Sequence, residues 1–197
     1  MTVPKLNKLL SIIGGKLSDN HVSHALIGAM AMALYGIPRY TADIDLISDE
    51  RHRETIMKVM TQLGYNCLQD AESFAQFDSE LGVYGKVDFL FVHTKEGRAI
   101  LEQKVVINDD VLGTLPVVQP TDYTVLKLMA IANNPERMAH DIADMERLFK
   151  AAAAGLLFSP FESIDVERLK AYAKRFGVLE QLSPLLALLD TRGETKK

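Results

Sequence analysis

Two aspartates, Asp43 and Asp45, stand two residues apart in the segment Thr41-Ala-Asp-Ile-Asp-Leu-Ile47. The alternation predicts a β-strand in which Ile44 and Leu46 face a core and both carboxylates face the other way. Positions two apart on a strand are about 7 Å apart, and their oxygens can converge on two cations about 4 Å apart. Like charges held side by side are costly without a cation or solvent. The pair is therefore a candidate site for a hard divalent ion such as Mg2+.

A glycine turn and a third aspartate stand where they could complete such a site. Gly28 follows an apolar run and precedes small residues that predict a helix over 29–35. Backbone N–H groups at such a turn can bind phosphate. Asp88 lies in Lys86-Val-Asp-Phe-Leu-Phe-Val-His93, which predicts a second strand. If the two aspartate strands are neighbours, three carboxylates meet at one edge of a sheet.

These residues resemble the nucleotidyltransferase superfamily related to DNA polymerase β. Its pattern is a Gly-Gly or Gly-Ser turn, Asp-x-Asp about a dozen residues later, and a third Asp on a neighbouring strand. The chain is most similar to the small bacterial AbiEii-type and related nucleotidyltransferases, over roughly residues 20–150. The matching positions are Gly28, Ala31, Gly36, Arg39, Thr41, Asp43, Asp45, Pro120, Asp122, Lys127, Asp141 and Asp144. One position departs: Ala29 replaces the usual second Gly or Ser, which restricts the turn and removes a hydroxyl.

The resemblance implies a role for each of these positions. It makes Asp43, Asp45 and Asp88 the catalytic and metal-binding residues of a two-Mg2+ site, with Asp88 as general base. It makes Gly28, Ala29, Arg39, Thr41 and Lys127 nucleotide-binding residues.

Simpler roles stay open for several positions. Arg39 could pair with a surface acid, Thr41 could cap a turn, and Lys127 could be a surface lysine. Asp141 and Asp144 lie on one helix face, where ion pairs with Arg137 and His140 four residues earlier would explain them.

The order of local patterns predicts a mixed α/β core followed by a helical half, as in the nucleotidyltransferase fold, a mixed sheet flanked by helices. We expect the core over 1–119, a helical subdomain over 120–190 and a frayed tail over 191–197. Helices are predicted over 5–17, 29–35, 50–63, 95–102, 120–132, 136–152, 165–176 and 179–189. Strands are predicted over 24–27, 42–47, 87–92, 104–107 and 115–118, with one or two more over 65–80 and a turn over 81–85.

Composition excludes several classes of protein. The 197 residues carry a net charge of −4 and one cysteine, Cys67, so an intrachain disulfide cannot form and a large nonspecific nucleic-acid surface is disfavoured. No apolar run approaches the ~20 residues that cross a bilayer, no signal peptide is visible, and we expect a cytoplasmic protein. P-loop, GxGxxG and GxSxG patterns are absent from the sequence, which leaves kinase, dinucleotide-dependent and hydrolase functions without support.

The leading hypothesis is a metal-dependent nucleotidyltransferase that transfers NMP from an NTP to an acceptor hydroxyl. The acceptor could be an RNA end, a protein or a small molecule, and the chain could be the toxin of a toxin–antitoxin pair with an antitoxin partner. One alternative, which Ala29 supports, is a non-catalytic nucleotide- or partner-binding module. Another is an antitoxin-like or scaffold protein that forms a homodimer through its helical half.

Overall fold

The computed structural model describes residues 3–79, 85–110 and 112–190. The chain divides into two compact units, of which the first comprises residues up to 31 and 39–118, and the second comprises 32–38 and the residues from 119 onward. The elements in chain order are α1 (Val3–Asp19), β1 (His24–Leu26), α2 (Gly28–Leu34), β2 (Ile44–Asp49), α3 (Arg53–Gln62), β3 (Tyr65–Ala71), β4 (Phe74–Ser79), β5 (Val87–Val92), α4 (Lys95–Glu102), β6 (Val105–Asp109), β7 (Gly113–Val117), α5 (Pro120–Asn133), α6 (Met138–Ala153), α7 (Val166–Phe176) and α8 (Leu179–Asp190).

The first unit is built on a mixed sheet. Within the described ranges it has seven strands in the order β3-β4-β5-β2-β1-β7-β6. β2 runs parallel to β5 and antiparallel to β1, while β4 runs antiparallel to both β3 and β5. β1 pairs in parallel with β7, and β6 and β7 form an antiparallel hairpin. The predicted fold class, a mixed sheet flanked by helices and followed by a helical half, is confirmed.

The central strands alternate between an apolar face and a polar face. Where β2, β4 and β5 pair around the polar positions, their buried apolar residues include Ile44 and Leu46 in β2, Ala75 and Phe77 in β4, and Val87 and Phe89 in β5. The residues between them, Asp45, Gln76 and Asp88, are half-buried. Because successive side chains of a strand point to opposite faces, the apolar alternation holds these three polar side chains on one face of the sheet.

Most predicted elements lie within a few residues of their predicted bounds. β2 begins two residues later than its predicted range of 42–47, so the prediction that Asp43 and Asp45 share this strand is wrong: Asp43 precedes the strand, and Asp45 lies on it. β5 and α4 agree residue for residue with the prediction. The ambiguous stretch over 65–80 forms β3 and β4, with a register shift between Cys67 and Gln69. The predicted turn over 81–85 lies outside the described residues except for Gly85. α3 begins later than predicted, because the Asp49 side chain first caps a short 3-10 turn, Glu50–His52.

The second unit is helical. α5 is buried on nearly all sides, including the polar residues Thr121, Asp122 and Thr124. Arg168 of α7 forms an ion pair with buried Asp122, which ties α7 to α5. Asp165 caps the N-terminal end of α7, and Gly177, whose φ of 71° is left-handed, caps its C-terminal end.

Two features concern the surface of the described residues. Cys67 is exposed on β3, a strand at the edge of the sheet. No helix in the part of the chain that the structure describes has the length and apolar character needed to cross a membrane.

Candidate functional site

The turn between β1 and α2 lies directly beneath a predicted catalytic side chain. Gly28 has a φ of 67°, and a Cβ atom placed on it would lie 1.9 Å from Oδ2 of Asp45. The Ile27 N–H donates to the carbonyl oxygen of Asp45 at 2.9 Å, which joins the turn to β2. Glycine is therefore required here for two reasons: the backbone is left-handed, and the Asp45 carboxylate occupies the space that a side chain would fill.

Ala29, the departure from the family pattern, is part of the core. Its side chain is 4% exposed. A methyl group at this position therefore contributes to packing, which gives a physical reason for alanine where the family has Gly or Ser.

The pairing of β2 with β5 brings the second and third aspartates together. Asp45 and Asp88 are register partners in this parallel pair. On the other side of β5, Gln76 of β4 is the register partner of Asp88. The Gln76 amide Nε2 donates to Oδ1 of Asp88 at 3.0 Å and lies 3.4 Å from Oδ2. Sequence reasoning missed Gln76, because only the antiparallel register of β4 against β5 reveals its contact.

The electrostatics of Asp88 show that a negative neighbour lies close by. Burial is the largest influence and raises the pKa of the Asp88 carboxyl, and the Asp43 carboxylate raises it further. The hydrogen bond from Gln76 and the charge of Lys86 act in the opposite direction. A cation placed among these carboxylates would relieve both the burial of charge and the repulsion.

The donor set fits a hard divalent ion in its chemistry, since Asp43, Asp45 and Asp88 offer only carboxylate oxygens. Their side-chain positions do not yet form a chelate. Across residues 3–79, 85–110 and 112–190, no group of three or more His, Cys, Asp or Glu side chains is placed to hold a metal ion. The Asp45 carboxylate lies against Gly28, and the metal site stays a prediction.

The segment before β2 holds Asp43 in place. The Thr41 hydroxyl accepts from the Asp43 N–H at 3.1 Å and lies within hydrogen-bond distance, 3.1 Å, of the Asp43 carbonyl oxygen. Thr41 thus closes a turn around Asp43, one of the two roles that the sequence left open. Arg39, Thr41 and Asp43 are half-buried, whereas Tyr40 and Ala42 between them are exposed.

Lys127 belongs to the second unit and is bound by two aspartates. Its Nζ lies 2.7 Å from Oδ1 of Asp141 and 2.9 Å from Oδ2 of Asp144. Both carboxylates are buried, with side chains 0% and 1% exposed. The predicted ion pair of Asp141 with Arg137 is also present, at 3.5 Å, and Nε2 of His140 lies 3.8 Å from Oδ2 of Asp144. The shared lysine was not predicted, because it depends on how α5 packs against α6.

Comparison with known proteins identifies solved structures with a similar fold. No protein-family model and no curated protein matches the chain. The structure is similar to that of ANT(2″)-Ia in complex with adenylyl-2″-tobramycin, with a TM-score of 0.62 and 11% identity over 87% of this chain and 96% of that chain. It is also similar to an antigenic nucleotidyltransferase-like protein from Paracoccidioides brasiliensis, with a TM-score of 0.58 and 14% identity over 96% and 94% of the two chains. The chain therefore has the fold of these nucleotidyltransferases.

Proposed function

We propose that this chain is a metal-dependent nucleotidyltransferase, which moves a nucleoside monophosphate from a nucleoside triphosphate to an acceptor hydroxyl. The observation that carries the proposal is the placement of Asp45. Its carboxylate lies against the Gly28 turn, and its strand position is in register with Asp88. The fold, which is shared with solved nucleotidyltransferases, supports the same activity.

Each predicted site residue has a part in this proposal. Asp43, Asp45 and Asp88 would hold two Mg2+ ions, which when bound neutralise the phosphates and activate the acceptor hydroxyl. The triphosphate would receive hydrogen bonds from the backbone N–H groups of the turn and from side-chain donors. In this proposal Gly28 and Ala29 supply the backbone N–H groups, and the side-chain donors are Arg39, Thr41 and Lys127.

Asp88 is the general base of the proposed reaction. Its carboxylate accepts the proton of the acceptor hydroxyl while the hydroxyl oxygen bonds to the α-phosphorus. The bond from that phosphorus to the pyrophosphate oxygen breaks, and pyrophosphate leaves with the electron pair.

The acceptor in this proposal is a small molecule, in preference to an RNA end or a protein side chain. The net charge of −4 disfavours a polyanionic acceptor, and ANT(2″)-Ia, which shares the fold, was solved with an adenylylated small molecule. If the acceptor is instead a macromolecule, the proposal becomes that of a toxin of the AbiEii type with an antitoxin partner. Transfer of labelled NMP to each acceptor class separates the two versions.

Isothermal titration calorimetry tests the proposal directly. The chain is titrated with each NTP, with and without Mg2+, beside an Asp43→Ala/Asp45→Ala double variant. We expect Mg2+-dependent binding that the double variant loses. The matched control is Asp19→Ala/Asp70→Ala, which removes two exposed carboxylates elsewhere in the first unit and should bind as the unaltered chain does. The absence of binding at millimolar NTP would refute an autonomous enzyme.

The second candidate function is a non-catalytic nucleotide-binding module. Two observations favour it: Ala29 stands in the turn, and the described side chains form no ready three-ligand group. This candidate predicts NTP binding that is indifferent to Mg2+ and to Asp88→Ala. The same titrations therefore distinguish the two functions.

A further inference from the structure

Buried aspartates of this chain are bound by cationic side chains. Asp49 binds Arg51 and Arg98, Asp122 binds Arg168, and Asp141 and Asp144 share Lys127; the side chains of all four aspartates are 3% exposed or less. In each case a positive side chain balances the buried negative charge. Such a carboxylate is poorly suited to a metal ion, because the resident cation competes for its oxygens.

Asp88 is bound differently. Its side-chain hydrogen bonds come from the neutral amide of Gln76, at 3.0 Å to one oxygen and 3.4 Å to the other. Because one NH2 group lies within reach of both oxygens, it restrains the rotation of the carboxylate about its Cβ–Cγ bond. The amide itself adds no positive charge, and the charge of Lys86 also acts on Asp88.

The amide also leaves binding capacity on the carboxylate. An ionised carboxylate offers about four lone-pair sites, and one amide NH2 group uses at most two of them. Backbone pairing keeps the two side chains next to each other, because Gln76 and Asp88 are register partners and each strand has an apolar face in the core. Hydrogen-bonded partners of metal-ligating side chains orient those ligands, and their loss typically lowers metal affinity 10- to 100-fold.

We propose that Gln76 is a positioning residue, which holds the Asp88 carboxylate in the orientation that a divalent cation requires without neutralising it. The inference rests on the proposed function, because that function makes Asp88 a metal ligand. It goes beyond that function by assigning a role to a strand that carries none of the predicted site residues. Gln76 itself touches neither nucleotide nor metal in this proposal.

The test is the affinity for Mn2+ in the presence of ATP, measured as free Mn2+ by electron paramagnetic resonance. Gln76→Met keeps the length of the side chain and removes its donor. Gln69→Met is the matched control, because Gln69 is the register partner of Gln76 on β3 and is exposed. We expect Gln76→Met to weaken Mn2+ binding at least tenfold, and Gln69→Met to leave it unchanged. The thermal unfolding midpoint should be the same in all three proteins, which a general loss of structure would not allow.

A second variant protects the test against misfolding. Gln76→Asn keeps an amide but shortens the side chain by one methylene group, so its donor no longer reaches Asp88. We expect the same tenfold loss with an unchanged thermal unfolding midpoint. Unchanged Mn2+ affinity in either folded variant, with affinity lost in Asp88→Ala, overturns the role of Gln76 and leaves the proposed function standing. No Mn2+ binding by the unaltered chain with ATP overturns both.

Discussion

At the scale of single residues, position 28 is constrained by its backbone and by its neighbour. The φ of Gly28 is left-handed, and the space of its missing side chain holds the Asp45 carboxylate. The two constraints have different consequences, because backbone strain lowers stability whereas a displaced carboxylate changes binding. Gly64 offers a comparison, since its φ is 81° and nothing lies within 4 Å of a Cβ placed on it.

We expect Gly28→Ala to abolish Mg2+-dependent ATP binding, because the new methyl group displaces the Asp45 carboxylate. Both Gly28→Ala and Gly64→Ala should lower the free energy of unfolding by about 1–2 kcal/mol through left-handed strain. Only Gly28→Ala should lose ATP binding. Calorimetric titration and urea denaturation measure the two effects separately. Equal ATP affinity in the two variants would contradict the assigned place of Asp45 in the site.

At the scale of elements, the ion pairs of Lys127 join α5 to α6. A lysine on one helix faces two buried aspartates on the next, and exposed Arg137 and His140 approach the same aspartates from α6 itself. Removing one partner of a buried ion pair is costly, because the remaining charge stays buried. Lys150, by contrast, pairs with Glu146 on the exposed side of α6.

We expect Lys127→Met to lower the free energy of unfolding by about 3 kcal/mol, since it leaves Asp141 and Asp144 without their shared cation. The control Lys150→Met should change it by less than about 0.5 kcal/mol. Unfolding in urea, monitored by the circular dichroism signal of the helices, gives both values. A Lys127→Met variant as stable as the unaltered chain would show that the lysine is held for another purpose, such as the predicted contact with nucleotide.

The elements also show which parts of the fold local sequence can predict. β5 was predictable because its alternating apolar residues lie in one short run, and α7 because its cap residues lie at its own ends. The contact of Gln76 with Asp88 was not, because it depends on two strands pairing in one register. For the same reason the aspartates could be named as candidates from Asp-x-Asp, whereas the turn of Asp45 toward Gly28 required the structure.

At the scale of the whole molecule, an excess of carboxylates links stability to pH. The net charge is −4, and each carboxyl whose pKa changes on folding contributes to the pH dependence. Asp49 is the clearest case among the described residues. Hydrogen bonds from Arg51 hold the pKa of its carboxyl far below the usual range, burial opposes them, and Arg98 adds to the lowering.

The sign of the effect follows from this lowered pKa. The stabilisation by Asp49 is fully present above the unfolded-state pKa of about 3.9 and is lost as the pH falls toward the folded-state value. We expect Asp49→Asn to be less stable than the unaltered chain by about 2 kcal/mol at neutral pH. The difference should shrink steadily below about pH 4. Urea denaturation at a series of pH values measures it.

Asp70→Asn provides the control for that series. Asp70 forms an ion pair with Arg53, but its side chain is 48% exposed. The variant should differ from the unaltered chain by less than about 0.5 kcal/mol at every pH. A difference for Asp49→Asn that persists unchanged to low pH would contradict the assignment of its stabilising effect to the ionised carboxylate.

The exposed thiol of Cys67 gives the chain a built-in attachment point for a spectroscopic reporter. It is the only cysteine in the sequence, so a maleimide dye reaches one position without any engineering. Burial, together with the charge of Asp70, raises the pKa of this thiol, so the labelling reaction will be faster in mildly alkaline buffer. The dye would sit at the sheet edge, two strands from Asp88. Fluorescence of the dye can then test for the proposed nucleotide binding in the unaltered sequence, in real time and at concentrations far below those that calorimetry needs.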